Sequence, residues 1–116
     1  MHNKNEENII LQYTFEFALK IMEYSEILKT ANKYNMINQL FRSGTSIGAN
    51  VREAQNAESR ADFIHKMKIA SKEAGETEYW LLLCKHSDSY PPVDTLLEKI
   101  NVIEKILGKI IYSSKK

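Results

Sequence analysis

The chain has 116 residues and a mass of 13.4 kDa, the size of a single domain. Surface scaling gives it a folded area of roughly 6,500 Å² against roughly 19,000 Å² unfolded, enough burial for a core without metals or disulfides. Sixteen Lys and Arg against fifteen Asp and Glu leave a net charge of +1, which excludes a polybasic protein that holds nucleic acid by bulk charge. The single cysteine, Cys84, excludes an intramolecular disulfide and fits a reducing compartment. Four Gly and two Pro are too few for a turn-rich β fold. The polar start has no apolar region behind a basic stretch, and no run reaches the ~18 apolar residues of a membrane span, so a cytoplasmic location is expected.

Four helical segments follow one another, predicted at roughly 6–29, 36–57, 60–85 and 93–112, with frayed ends at 1–5 and 113–116. In the first, Ile10, Tyr13, Phe17, Ile21, Tyr24 and Leu28 recur at steps of three and four. A second stripe through Leu11, Phe15, Ala18 and Met22 widens that apolar arc. The second segment carries Leu40, Gly44, Ile47, Val51 and Ala54 on one face, flanked by small residues. Gly44 and Gly48 lie four apart, and each costs roughly 1 kcal/mol relative to Ala within a helix, so close approach of another backbone is the expected compensation.

Ser59 reads as an N-cap, with Asp62 three residues on as a short capping-box partner. Phe63, Met67, Ala70, Ala74, Leu81 and Cys84 then give the third helix a heptad-like stripe, with Thr77 between. Pro91-Pro92 break the chain before the last helix, whose eight Leu and Ile residues cover more than one stripe. The pattern predicts an all-α, antiparallel up-down-up-down four-helix bundle spanning the whole chain. Helices 1 and 4 exceed the three apolar positions per heptad that such a bundle needs. Self-association accounts for the surplus; a thick bundle with wide buried arcs is the alternative.

No constellation signals catalysis. Glu73 and Glu76 have no Glu-x-x-His companion of a di-metal bundle, and Cys84 and His86 lack a third and fourth ligand. Ser43, Thr45 and Ser46 have no histidine nearby in sequence, and helical hydroxyls usually bond the preceding turn. Arg42 to Gly48 lacks both the Lys-Ser/Thr ending and the preceding strand of a phosphate loop. The expectation is therefore a protein that is not an enzyme, with no catalytic residues, metal, cofactor or small-molecule substrate. If helices 2 and 3 run antiparallel from a turn near Ser59, positions 50–53 approach 66–69. A semi-buried network joining Asn50 or Glu53 to Lys72, with Glu76 a turn on, is then one reading; solvated faces are the other. Residues 37–72 carry a net +3 and residues 73–93 a net −3. Arg42, Arg52, Arg60, Lys66 and Lys68 are the candidate contacts for nucleic acid or another partner, with Arg42 and Arg52 equally suited to salt bridges between protomers.

The stretch Gln39-Leu-Phe-Arg-Ser-Gly-Thr-Ser-Ile-Gly-Ala-Asn-Val-Arg-Glu-Ala-Gln55 closely resembles the signature of the four-helix-bundle proteins encoded in intervening sequences of bacterial 23S rRNA genes. The match continues through Ser59, Asp62-Phe63, Lys66, Ile69-Ala70, Lys72-Glu-Ala, Glu76-Thr77 and Tyr79-Trp80-Leu81. The resemblance implies an antiparallel bundle assembled as a homopentameric ring, with no established enzymatic activity and a gene-level link to rRNA. RNA or an RNA-associated protein is the partner this suggests, and a ring that contacts only protein is the alternative. A more distant resemblance is to the accessory protein of diversity-generating retroelements, a basic pentamer that binds its reverse transcriptase and nucleic acid. The present chain differs in being nearly neutral.

Overall fold

The computed structural model describes the backbone of residues 4–116 and the side chains from residue 9 onward. Four helices account for most of it: α1 (Lys4–Thr30), α2 (Tyr34–Ala54), α3 (Arg60–His86) and α4 (Asp94–Ser114). Each packs on its neighbour in chain order, and α4 returns to α1, closing an all-α bundle of 45 × 20 × 19 Å. Its surface of 6,923 Å² is slightly above the scaling value, as expected of a rod.

Local chemistry sets the helix ends. Asn32 adopts φ 62°, a left-handed conformation that Asn tolerates better than most residues. The Lys33 amide then donates to the Leu28 carbonyl at 2.8 Å and the Asn32 amide to Lys29 at 3.0 Å. This pair of bonds is the Schellman ending. At the start of α3 the Ser59 hydroxyl accepts from the Asp62 amide at 3.0 Å, as the capping reading predicts. The Asp62 carboxylate reaches back one residue further than in the usual box, accepting from the Glu58 amide at 3.2 Å.

Four boundaries differ from expectation by two or three residues, one of them the start of α2, which lies at Tyr34 and not at 36. Helix α2 stops at Ala54, three residues early, because the amides of Gln55, Asn56 and Ala57 close i→i+3 turns on Arg52, Glu53 and Ala54. Helix α4 runs on to Ser114, which is buried and donates to the Ile110 carbonyl at 2.8 Å, so residues 113 and 114 are not frayed. Lys4 and Asn5 are helical, whereas the expectation for residues 1–3 lies outside the described residues.

The core follows the predicted stripes except at Tyr13, which the α1 stripe included and which stands exposed. Ile10, Phe17, Ile21 and Leu28 of α1 meet Leu40, Ile47 and Val51 of α2, Met67, Ala70, Ala74 and Leu81 of α3, and Ile100, Ile103, Leu107 and Ile110 of α4. The surplus on α4 is absorbed inside the bundle: Leu96 and Leu97 are buried, and Ile106 and Ile111 are half-buried. The surplus on α1 is not absorbed. Ile9, Tyr13, Phe15, Leu19, Met22 and Ile27 all stand exposed.

At the end where the α1–α2 turn and the α3–α4 loop meet, three contacts join them. The Tyr24 hydroxyl donates to the Pro91 carbonyl at 2.7 Å, and Lys33 Nζ donates to the Ser89 hydroxyl at 3.0 Å. The same ammonium lies 4.9 Å from the centre of the Tyr90 ring.

Candidate interaction surfaces

The small residues of α2 fix its distance from α1. A Cβ on Gly44 would stand 2.8 Å from Cγ1 of Ile21, and one on Gly48 would stand 3.3 Å from the Thr14 carbonyl oxygen. The two glycines therefore let α2 approach α1, in keeping with the close helix packing expected of them. Thr14 has already turned its hydroxyl onto the Ile10 carbonyl at 2.7 Å, so it presents no free donor to that contact.

Helix α2 meets α3 through hydroxyls and charges. Thr77 and Ser43 are buried with their hydroxyl oxygens 2.9 Å apart. Thr77 lies within bonding distance of the Glu73 carbonyl, and Ser43 of the Gln39 carbonyl, so the two hydroxyls share a short chain of bonds. Thr45 and Ser46 likewise bond the carbonyls of Phe41 and Arg42. All three hydroxyls of the 43–46 cluster are thus engaged within helices, the ordinary fate of Ser and Thr there.

Above this pair lies an ion cluster that the sequence reading did not assemble. Arg42 donates to Glu73 at 3.1 Å and also to Glu76, and the Trp80 indole donates to the same Glu76 carboxylate at 3.2 Å. The guanidinium first, with help from the indole, holds the Glu76 carboxyl below the usual carboxylate range. The signal was available: the register that brings 50–53 to 66–69 brings position 42 to the mid-seventies.

The network expected through Lys72 is not formed. Asn50 donates to the Ser46 carbonyl at 2.9 Å on its own helix, and Glu53 pairs with Lys66 at 3.2 Å. Lys72 stays exposed on the outer face of α3, a turn from Glu76, whose charge it only helps to sustain. The predicted helix register is correct; the partner within it is Lys66.

The five candidate cations do not share one face. Arg42 and Lys66 sit on the α2–α3 seam, each against its own carboxylate, and Arg42 lies about 16 Å along α2 from Glu53. Arg60 donates to the Lys116 carbonyl at the end of the bundle. Arg52 lines a groove between α1 and α2, and Lys68 is exposed on α3. Neither Arg52 nor Lys68 has an ion-pair partner among the described residues.

An extended apolar surface lies on the α1–α2 flank. Phe15 is 55% exposed, Met22 47% and Phe41 44%, with Leu19 beside them. Leu11, Ala18, Thr45 and Gly48 floor the groove between the helices at one end, and Ile37 with Ser25 floors it at the other. A smaller apolar set, Tyr79, Leu82 and Leu83, stands on α3. Cys84 is buried next to Tyr24, and burial pushes its thiol up, away from the reactive thiolate. Among the described residues no three His, Cys, Asp or Glu side chains come together, and no helix is long and apolar enough to cross a membrane.

The family model for the 23S rRNA-intervening sequence protein matches residues 6–109. A crystal structure of a protein of unknown function from the S23 ribosomal protein family of Bacteroides thetaiotaomicron superposes with a TM-score of 0.87. It is 42% identical in sequence, over 92% of this chain and 98% of that one. No curated protein gives a significant match.

Proposed function

Since the chain belongs to the 23S rRNA-intervening sequence protein family, we propose that it is a self-associating, non-enzymatic binding module, a homopentameric ring whose partner is RNA or an RNA-associated protein. The observation that carries the assembly is the α1–α2 flank, where Phe15, Leu19, Met22 and Phe41 present contiguous apolar surface on an otherwise well-packed bundle. Surfaces of that kind mark interfaces. The non-enzymatic reading is supported by what the polar side chains do. The hydroxyls of residues 43–46 bond helix backbone, and Arg42, Glu73 and Glu76 bond one another.

Light scattering tests the assembly. The expected mass is near 67 kDa, five times the 13.4-kDa chain, and Phe15→Glu with Phe41→Glu lowers it to that of one chain while helical circular dichroism is kept. A wild-type monomer at micromolar concentration overturns the ring.

For the partner, Arg52 and Lys68 support phosphate contact, because no carboxylate pairs with either among the described residues. Two of the five candidate cations per protomer are few, and only repetition around a ring makes them a phosphate-binding surface. The expected result is retention of structured rRNA on a filter at low salt, falling steeply as salt rises and lost in the Arg52→Ala, Lys68→Ala double variant. No retention at low salt removes the RNA reading. The ring then contacts protein alone, a reading favoured by the internal pairing of Arg42 and Lys66, and a nuclease-insensitive pull-down of one defined polypeptide supports it.

A further inference from the structure

On the outer side of α3, opposite the core, His65, Lys68, Lys72, Gly75 and Tyr79 are all exposed. At 3.6 residues per turn, His65, Lys68, Lys72 and Tyr79 lie within about 60° of one another around the helix and extend about 21 Å along it. Gly75 sits at the edge of that line, between Lys72 and Tyr79. The two lysines are about 6 Å apart along the axis, a step that one nucleotide of extended sugar–phosphate backbone spans.

Neither lysine is tied into an ion pair among the described residues. The one carboxylate a turn from either is Glu76, beyond Lys72, and it already accepts from Arg42 and from the Trp80 indole. Lys72 acts on it only at a distance. Glu73 is engaged by Arg42, and Glu53 on α2 by Lys66. Tyr79 closes the line with a ring that is 56% exposed and leans on Trp80, 5.2 Å between centres at 60°. Trp80 is half-buried and bonded to Glu76, so Tyr79 rests on an anchored neighbour. Glu76 and Glu78 flank Tyr79 on either side and repel phosphate at this end, so the group that suits the ring is the uncharged face of a base. A Cβ on Gly75 would meet nothing within 4 Å, so the glycine answers no packing need inside the chain and leaves a gap beside the ring.

We propose that this line on α3 is a seat for an unpaired nucleic-acid strand, with phosphates on Lys68 and Lys72, one base stacked on Tyr79 above the Gly75 gap and another on His65. The seat presupposes the RNA reading above and narrows it to single strands. Cations that track a backbone, beside aromatic rings that take the bases, are the general means of holding a single strand. A duplex hides its base faces, so Tyr79 and His65 have nothing to stack on there.

Fluorescence anisotropy at low salt tests the seat, with a labelled RNA of about 12 nucleotides, the DNA of the same sequence and the blunt RNA duplex as probes. The single strand should bind more tightly than the duplex. Tyr79→Ala should weaken the single strand about fivefold or more and leave the duplex unchanged, whereas Tyr79→Phe should bind as wild type does. Lys68→Ala with Lys72→Ala should flatten the single-strand salt slope by about 1.4, at roughly 0.7 per phosphate contact. Gly75→Gln should weaken the single strand by filling the gap while the fold keeps its stability. Trp80, the chain's one tryptophan, should change its emission when the strand binds wild type and not in Tyr79→Ala. Preference for the RNA over the DNA names RNA as the occupant, and equal affinity extends the seat to both. Single-strand affinity that survives in Tyr79→Ala, or a duplex held as tightly as the strand, overturns the seat and leaves the RNA reading standing; no binding of any probe removes both. A Tyr79→Ala protein that loses its assembled mass in light scattering makes this face a contact between protomers, which also overturns the seat.

Discussion

Single glycines in this chain have opposite consequences, although all four are helical. Gly44 faces Ile21 so closely that an added methyl must displace a branched side chain held in the core. Gly108 faces nothing within 4 Å. Overpacking costs about 1–3 kcal/mol and exceeds the roughly 1 kcal/mol gained in helix propensity, so Gly44→Ala should destabilise by about 1–2 kcal/mol. Gly108→Ala should stabilise by about 0.5–1 kcal/mol. Urea midpoints of the two variants, measured against wild type, should move in opposite directions. From the sequence alone the spacing of Gly44 and Gly48 was readable as close packing, but which neighbour they admit was not. That depends on the handedness with which α2 turns its glycine edge toward α1, and no local pattern encodes it.

At the scale of the helix, caps and stripes were legible because they are local. Ser59 with Asp62 and the apolar run from Phe63 to Cys84 both follow from chemistry within a few residues. Side-chain pairing between helices was only half legible. The antiparallel register was readable from the turn near Ser59, yet several long side chains are within reach at any level, and geometry chose Lys66 over Lys72 for Glu53. The Arg42 cluster is the clearest product of that choice. Because Arg42 holds the Glu76 carboxyl below its usual range, their stabilisation is present above the unfolded carboxylate value and fades as pH falls through the lowered one. The groups are partly exposed, so Arg42→Ala should cost no more than about 1 kcal/mol at pH 7. The gap between variant and wild type should narrow towards pH 3, as read from thermal unfolding by circular dichroism.

For the whole molecule, apolar surplus in a sequence is a statement about area, and the structure distributes that area unequally. Helix α4 lies between two partners that cover its wide arc, whereas α1 keeps Phe15, Leu19 and Met22 outside. In the sequence both helices carry excess, because a sequence holds no cross-section to compare them with. The candidate cations show the same limit. A run of charge along the chain becomes a patch only if helix rotation gathers it, and here rotation scatters Arg42, Arg52, Arg60, Lys66 and Lys68 over several faces.

The bond from the Tyr24 hydroxyl to the Pro91 carbonyl spans 67 residues of chain, while the Schellman turn beside it closes within six. That difference orders events in time. The α1–α2 and α3–α4 hairpins need only short loops, whereas the α1–α4 seam must bring together distant parts of the chain and gains nothing until both hairpins stand. Tyr24→Phe, which removes a part-buried bond of about 1 kcal/mol, should therefore leave the refolding rate unchanged and speed unfolding about fivefold in stopped-flow chevrons. The contact that ties one end of the rod would then govern how long the bundle stays closed, and have no part in how quickly it forms.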